Sequence, residues 1–154
     1  MRLPIDNNYF AVCLILKQRN MKACLTRDII KIALVDDHKI LKEGIKRVLS
    51  FYEDVEVIAE ADNGKQLLNI LLQTKPDVIL LDLQMPVMDG ITTLPEIRRM
   101  YPHIKVIIFS MHNDGPIIAK LLKIGAHSYL LKDSDPSTIY ATIKSCYQDD
   151  LPKN

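Results

Sequence analysis

Val78-Ile79-Leu80-Leu81-Asp82-Leu83-Gln84-Met85-Pro86 is the stretch on which the reading of this chain turns. Four consecutive apolar residues are too few for a helix. They suit a strand buried on both faces, the kind found in a parallel sheet covered by helices on either side. A carboxylate, Asp82, follows at once, so a charge stands where the buried run ends.

The same texture repeats on both sides. Ile32-Ala33-Leu34-Val35 and Val55-Glu56-Val57-Ile58-Ala59 precede this run, and Val106-Ile107-Ile108-Phe109 and Tyr129-Leu130-Leu131 follow it. Between the runs lie stretches of helical period. Ile40 to Leu49 places Leu41, Ile45, Val48 and Leu49 on one face. Gly64 to Leu72 does so with Leu67, Leu68, Leu71 and Leu72, and Ile117 to Ile124 with Ile117, Ile118, Leu121 and Leu122. A last helix opens at Asp135-Pro136, an N-cap candidate with proline in the first turn, and carries Ile139, Ile143 and Tyr147. Strands alternating with helices predict a doubly wound α/β domain over about residues 29–150. Residues 1–28 are expected to be a flexible extension and 151–154 a tail or the start of a linker.

In an α/β sheet of this kind, ligands bind outside the carboxyl ends of the strands. The first strand ends in Asp36-Asp37, the third in Asp82, the fourth in Ser110 and the fifth in Lys132. Parallel strands would bring all five to one edge. Three carboxylates so close repel unless a pKa rises or a cation neutralises them. Hard oxygen donors favour Mg²⁺, which takes one or two carboxylates and keeps several waters. An open Mg²⁺ site beside a carboxylate and an ammonium suits phosphoryl transfer, with a carboxylate able to accept the group. Asp82, at the end of the central apolar run, is the natural acceptor, leaving Asp36 and Asp37 to the metal.

The motifs resemble those of bacterial two-component response regulator receiver domains. Lys31 to His38 resembles their opening strand, and Asp82 to Pro86 followed by Asp89-Gly90 their phospho-acceptor loop. Phe109 to His112 is similar to their hydroxyl-bearing strand, and Gly125 to Asp133 to the end of their fifth strand. Asp37-His38, Ser110 and Leu130-Leu131-Lys132-Asp133 point to the NarL/FixJ type, in which a LuxR-type helix-turn-helix DNA-binding domain follows; four residues after Asp150 leave no room for one. The resemblance implies a flavodoxin-like five-stranded parallel sheet of order 2-1-3-4-5 with five helices. It implies phosphorylation of Asp82 by a sensor histidine kinase and direct Mg²⁺ binding by Asp37. Asp36 would bind the ion through water and the backbone carbonyl of Gln84 would add a ligand. Lys132 would pair with the phosphoryl group. Ser110 and Tyr129 would form the switch, with a phosphorylation-dependent homodimer as a possible output. Gln84 and His112, each two residues past a site residue, are candidates to gate phosphate lifetime.

Lys plus Arg number 20 and Asp plus Glu 19, for a net charge of +1, which gives no case for direct nucleic-acid or membrane-surface binding. Cys13, Cys24 and Cys146 lack metal-ligand spacing and read as free thiols in a reducing cytoplasm. The apolar run Tyr9 to Leu16 is short of a membrane span, and the charges after it are unlike a cleavage site. Of the other histidines, His38, His103 and His127 read as surface or cap residues. The main rivals are a stand-alone phosphorelay receiver and a Mg²⁺-dependent phosphatase of similar layout. A phosphatase needs an acid to protonate its leaving group, and the haloacid-dehalogenase type puts an Asp where this chain has Gln84.

Overall fold

The structure is a computed structural model that describes residues 28–149. The extension up to Arg27, with Cys13 and Cys24, and the tail after Asp149 lie outside the described residues. Five strands, β1 (Ile30–Val35), β2 (Val55–Ala61), β3 (Val78–Leu81), β4 (Lys105–Ser110) and β5 (Ser128–Leu131), alternate with five helices. These are α1 (Lys39–Leu49), α2 (Gly64–Leu71), α3 (Gly90–Met100), α4 (Gly115–Ile124) and α5 (Pro136–Gln148). All strand pairs are parallel, in the order β2-β1-β3-β4-β5, the flavodoxin-like arrangement.

The apolar runs explain the layering. β3 and β4 are buried at every position, and β1 at all but Lys31. Their side chains alternate between two cores. Ala33, Val35, Ile79, Leu81, Val106 and Ile108 face α2, α3 and α4. Ile32, Leu34, Val78, Leu80, Ile107 and Phe109 face α1 and α5. β2 and β5 lie at the sheet's edges and are partly exposed.

Four helices begin on a side-chain cap, a local signal that fixes where the chain leaves the sheet edge. Asn63, Asp89, Asp114 and Asp135 each accept from a backbone N–H three residues on. α1 differs, since its N-cap His38 makes no such bond.

The helical faces differ from expectation in places. Leu72 is exposed and ends α2. In α4 only Leu121 is buried, while Ile117 and Leu122 are 38% and 44% exposed. The cause is position: α4 lies over the rim of the sheet, and one line of contact suffices to hold it. In α1 the apolar face includes a cation, with Lys42 buried beside Ile45 and Leu49 and Val48 only partly so. In α5 the buried residues are Ile139, Ile143 and Cys146, with Tyr147 at the margin. Helix α3 carries Pro95 inside it, where a missing N–H and a bulky ring work against the helix. Leu94 and Ile97, both fully buried, hold it in place.

Candidate functional site

The parallel topology delivers the predicted juxtaposition. Asp36 and Asp82 end adjacent strands, and the Asp82 N–H donates to the Val35 carbonyl at 2.9 Å. Both carboxylates are buried, at 4% and 3% exposure. Lys132 leaves the end of β5, its backbone N–H bonded to the Ser110 carbonyl, and reaches both of them. Its ammonium lies 2.6 Å from Asp36 Oδ2 and 3.0 Å from Asp82 Oδ2, with its side chain only 5% exposed.

Two buried carboxylates share one buried ammonium, so the site is short of positive charge. Burial raises the Asp82 carboxyl above its ordinary value; the hydrogen bond and charge of Lys132 oppose this, and the Asp36 charge adds to it. Asp82 Oδ1 accepts from the Leu83 N–H at 2.8 Å, which fixes the carboxylate's orientation. The Asp36 Oδ2 contact with Lys132 lacks hydrogen-bond geometry, leaving that buried oxygen with a charge nearby and no well-aligned donor.

These features fit a divalent cation. Oxygen and nitrogen donors of Asp36, Asp37, His38 and Asp82 lie within 4.8 Å of one another. Asp37 is the open carboxylate of the three, with its side chain 34% exposed. The set is rich in carboxylate oxygen, with an unsatisfied buried oxygen and a solvent-facing side, which suits an ion that keeps part of its water shell. His38 was expected only as a surface or cap residue. It is the N-cap of α1 and mostly exposed, yet its Nδ1 lies 2.9 Å from Asp36 Oδ1 and 3.2 Å from Asp37 Oδ1. The direct sequence neighbour of an acid pair at a tight turn is the only hint the sequence offers.

The remaining candidates divide into two places. Ser110 is 1% exposed at the end of β4, and its hydroxyl accepts from the His112 N–H at 3.3 Å. Tyr129, on β5, is partly exposed and its hydroxyl donates to the His112 carbonyl. The backbone of residue 112 therefore ties Ser110 to Tyr129, a link invisible in the sequence because no side chain of residue 112 takes part. Gln84 and His112 are exposed and line one open groove of about 560 Å³ with Leu83, Met85, Asp89, Ile91 and Ile117.

The loop from Asp82 to α3 is tightly seated. The Gly90 N–H donates to the Leu83 carbonyl at 3.0 Å, and a Cβ on Gly90 would meet the Asp82 carbonyl oxygen at 2.1 Å. Val87 bears the turn with φ 67, the left-handed region that costs a β-branched residue roughly 1–3 kcal/mol.

Comparison with known proteins agrees with this geometry. The family model for the response regulator receiver domain matches residues 32–144. The transcriptional regulatory protein DegU of Brevibacillus brevis is 35% identical over 115 residues, covering 75% of this chain and 49% of that protein. The nitrate/nitrite response regulator NarL of Escherichia coli strain K12 is 40% identical over 108 residues, 70% of this chain and 50% of that one. This chain thus spans about half the length of these curated relatives. Among solved structures, a LuxR-family two-component response regulator from Aurantimonas sp. SI85-9A1 superposes with a TM-score of 0.75 at 30% identity, covering 79% of this chain and 86% of that one. The non-phosphorylated receiver domain of the stress response regulator RcsB from Escherichia coli gives 0.74 at 27% identity, covering 79% and 95%. The chain belongs to the response regulator receiver domain family, with NarL, DegU and LuxR-type regulators among its relatives.

Proposed function

We propose that this chain accepts a phosphoryl group on Asp82 from a phosphohistidine of a sensor kinase and passes the event on as a changed surface. The observation that carries the reading is the sharing of one buried ammonium, Lys132, between two buried carboxylates at the sheet's edge. A carboxylate oxygen of Asp82 would attack phosphorus as the phosphorus–nitrogen bond to the donor breaks, giving an acyl phosphate and a neutral imidazole on the donor. Lys132 would then hold a phosphoryl oxygen, and the Leu83 N–H would keep Asp82 oriented. Asp37 would hold Mg²⁺ directly, with Asp36, Asp82 and the Gln84 carbonyl as further ligands. When bound, the ion would offset negative charge on the group being transferred.

Ser110 is one residue past the core of β4 and would follow the phosphoryl group; its shared tie to residue 112 would carry that movement to Tyr129. Gln84 and His112, which line one groove beside the acceptor loop, would govern how readily water reaches the phosphate. An apolar patch beside the site supports a protein donor: Ile40 is 90% and Met111 70% exposed, and with Leu41 and Ile45 they border Lys132. The phospho-accepting unit would run over about residues 29–150. Control of transcription would be exerted through a DNA-binding domain of the full-length regulator, with a phosphorylation-dependent homodimer as the intermediate. The relatives' names and their greater length support this output. No helix of the described residues is long and apolar enough to cross a membrane, and a cytoplasmic setting is what a kinase-coupled receiver requires.

The test is modification by acetyl phosphate in the presence of Mg²⁺, read by intact mass and peptide mapping. One residue, Asp82, should be modified, and Asp82→Asn should abolish the reaction. Modification of Asp36 or Asp37 in the wild type would overturn the assignment of roles.

A further inference from the structure

The acid edge of the sheet extends one strand beyond the site. Val35 pairs with Ala61, and the Asp36 N–H donates to the Ala61 carbonyl at 3.0 Å. Asp36 and Asp62 therefore leave adjacent strands side by side, about one strand spacing (~4.8 Å) apart. The Asp62 N–H is held by the Gln66 side chain. Its carboxylate is ion-paired with Lys42, a residue of α1 whose side chain is only 7% exposed, against 46% for Asp62.

Lys42 is also close to the site from behind. It lies one turn along α1 from His38, its backbone N–H donating to the His38 carbonyl. Lys42 and Asp36 line the same small pocket, walled by Leu34, Leu41, Ile45 and Phe109. An apolar side chain of similar volume would fill this position at no desolvation cost. Packing alone thus gives no reason for a cation.

We propose that Lys42 and Asp62 form a charge-balancing pair whose members act with opposite sign on the affinity of the Asp36–Asp37–Asp82 site for a divalent cation, each cancelling the other's field. Asp62 deepens the negative potential at the sheet edge and Lys42 offsets it. Lys42 touches none of the reacting groups and acts on the site by its charge alone. The inference rests on the metal site proposed above.

A merely structural pair and a charge-balancing pair differ in sign. Mg²⁺ titrated into the full chain by calorimetry should bind Lys42→Met about fivefold more tightly than wild type, the scale of one unit charge acting on a divalent ion across a largely hydrated gap. Asp62→Asn, which leaves Lys42 without its counter-charge, should bind about fivefold more weakly. The double variant should return to within about twofold of wild type, and Lys42→Arg should match wild type. Thermal melts without Mg²⁺ report folding of each variant separately. If both single variants weaken binding, in step with any loss of stability, or if neither changes it, the charge-balancing role is overturned while the metal site stands. If wild type binds no Mg²⁺, the metal site itself fails and this inference with it.

Discussion

Two aspartate–lysine pairs sit at opposite ends of the sheet and behave in opposite ways. At the carboxyl edge, Asp82 meets Lys132, and both are almost fully buried. At the amino edge, Asp54 just before β2 meets Lys144 of α5 at 2.6 Å, with side-chain exposures of 19% and 29%. Asp54 also accepts from the Tyr140 hydroxyl, whose ring stacks on Tyr52 at 3.8 Å. The Lys144 hydrogen bond lowers the Asp54 carboxyl below its ordinary value, with burial as the weaker opposing effect. For Asp82 burial is the stronger effect, and the carboxyl is raised. The same two groups give a satisfied pair where water can reach and a strained one where it cannot. The amino-edge pair stitches α5 to β2; the carboxyl-edge pair holds charge in readiness for something to neutralise it.

The sharpest way to break that comparison is to remove each lysine. Lys132→Met leaves Asp36 and Asp82 buried without their cation and should cost about 3–5 kcal/mol in metal-free buffer, read by urea unfolding. Lys144→Met should cost about 1 kcal/mol or less, because Asp54 keeps the Tyr140 bond and some water. Equal losses would mean that burial does not separate the two pairs. The next largest effect is metal. At a hundredfold excess over its Kd, Mg²⁺ should add about 2.7 kcal/mol to wild-type stability. Asp37→Asn should lose most of that gain and Asp54→Asn none of it, in melts with and without the ion.

Acid sharpens the contrast further. A carboxyl lowered on folding contributes stability above its unfolded value, here 3.8, and that stability is lost as pH falls toward and through the folded value. Asp54→Asn should therefore be about 1 kcal/mol less stable than wild type at neutral pH, with the gap closing below about pH 4. A gap that holds constant into acid would show that Asp54 contributes no charge-dependent stability. The smallest effect expected concerns His112. Its backbone ties Ser110 to Tyr129 and is kept in His112→Ala, so that variant isolates the ring. Wild-type phosphate should last minutes or longer; loss of the shielding ring should hasten its decay about two- to threefold in single-turnover measurements, since phosphoryl transfer gains more from positioning than from a strong base. Slower decay would mean that the imidazole assists the attacking water.

The fold and the central triad of Asp36, Asp82 and Lys132 were legible because they follow from one inference. Continuous apolar runs imply a parallel sheet, and a parallel sheet places every strand's last residue on one edge. What escaped depended on neighbours distant in the chain. Helix α3 carries Pro95, whose missing N–H and ring argue against a helix there, and only the seating of Leu94 and Ile97 in the core shows why it survives. The apolar face assigned to α4 was too wide, since period says which residues could be buried and not how much of the sheet remains to cover them. Lys42 is absent from the apolar face that period assigns to α1, and its burial depends on Asp62, a partner from the end of β2. The involvement of His38 with both acids depends on side-chain direction at a turn, and the bond from Tyr129 to residue 112 depends on backbone alone.

The seat of Gly90 has a mechanical consequence. With no room for even one carbon between residue 90 and the Asp82 backbone, α3 and the acceptor loop form a stiff unit. α4, held by Leu121 alone among its buried residues, is compliant by comparison. A displacement that starts at Asp82 would have one soft direction, across β4 and β5 toward α4, and the molecule would then work as a one-sided lever whose fulcrum is the side of the acceptor that cannot yield. Amide hydrogens of α4 should exchange markedly faster than those of α3, and equal protection in the two helices would remove the lever's soft arm.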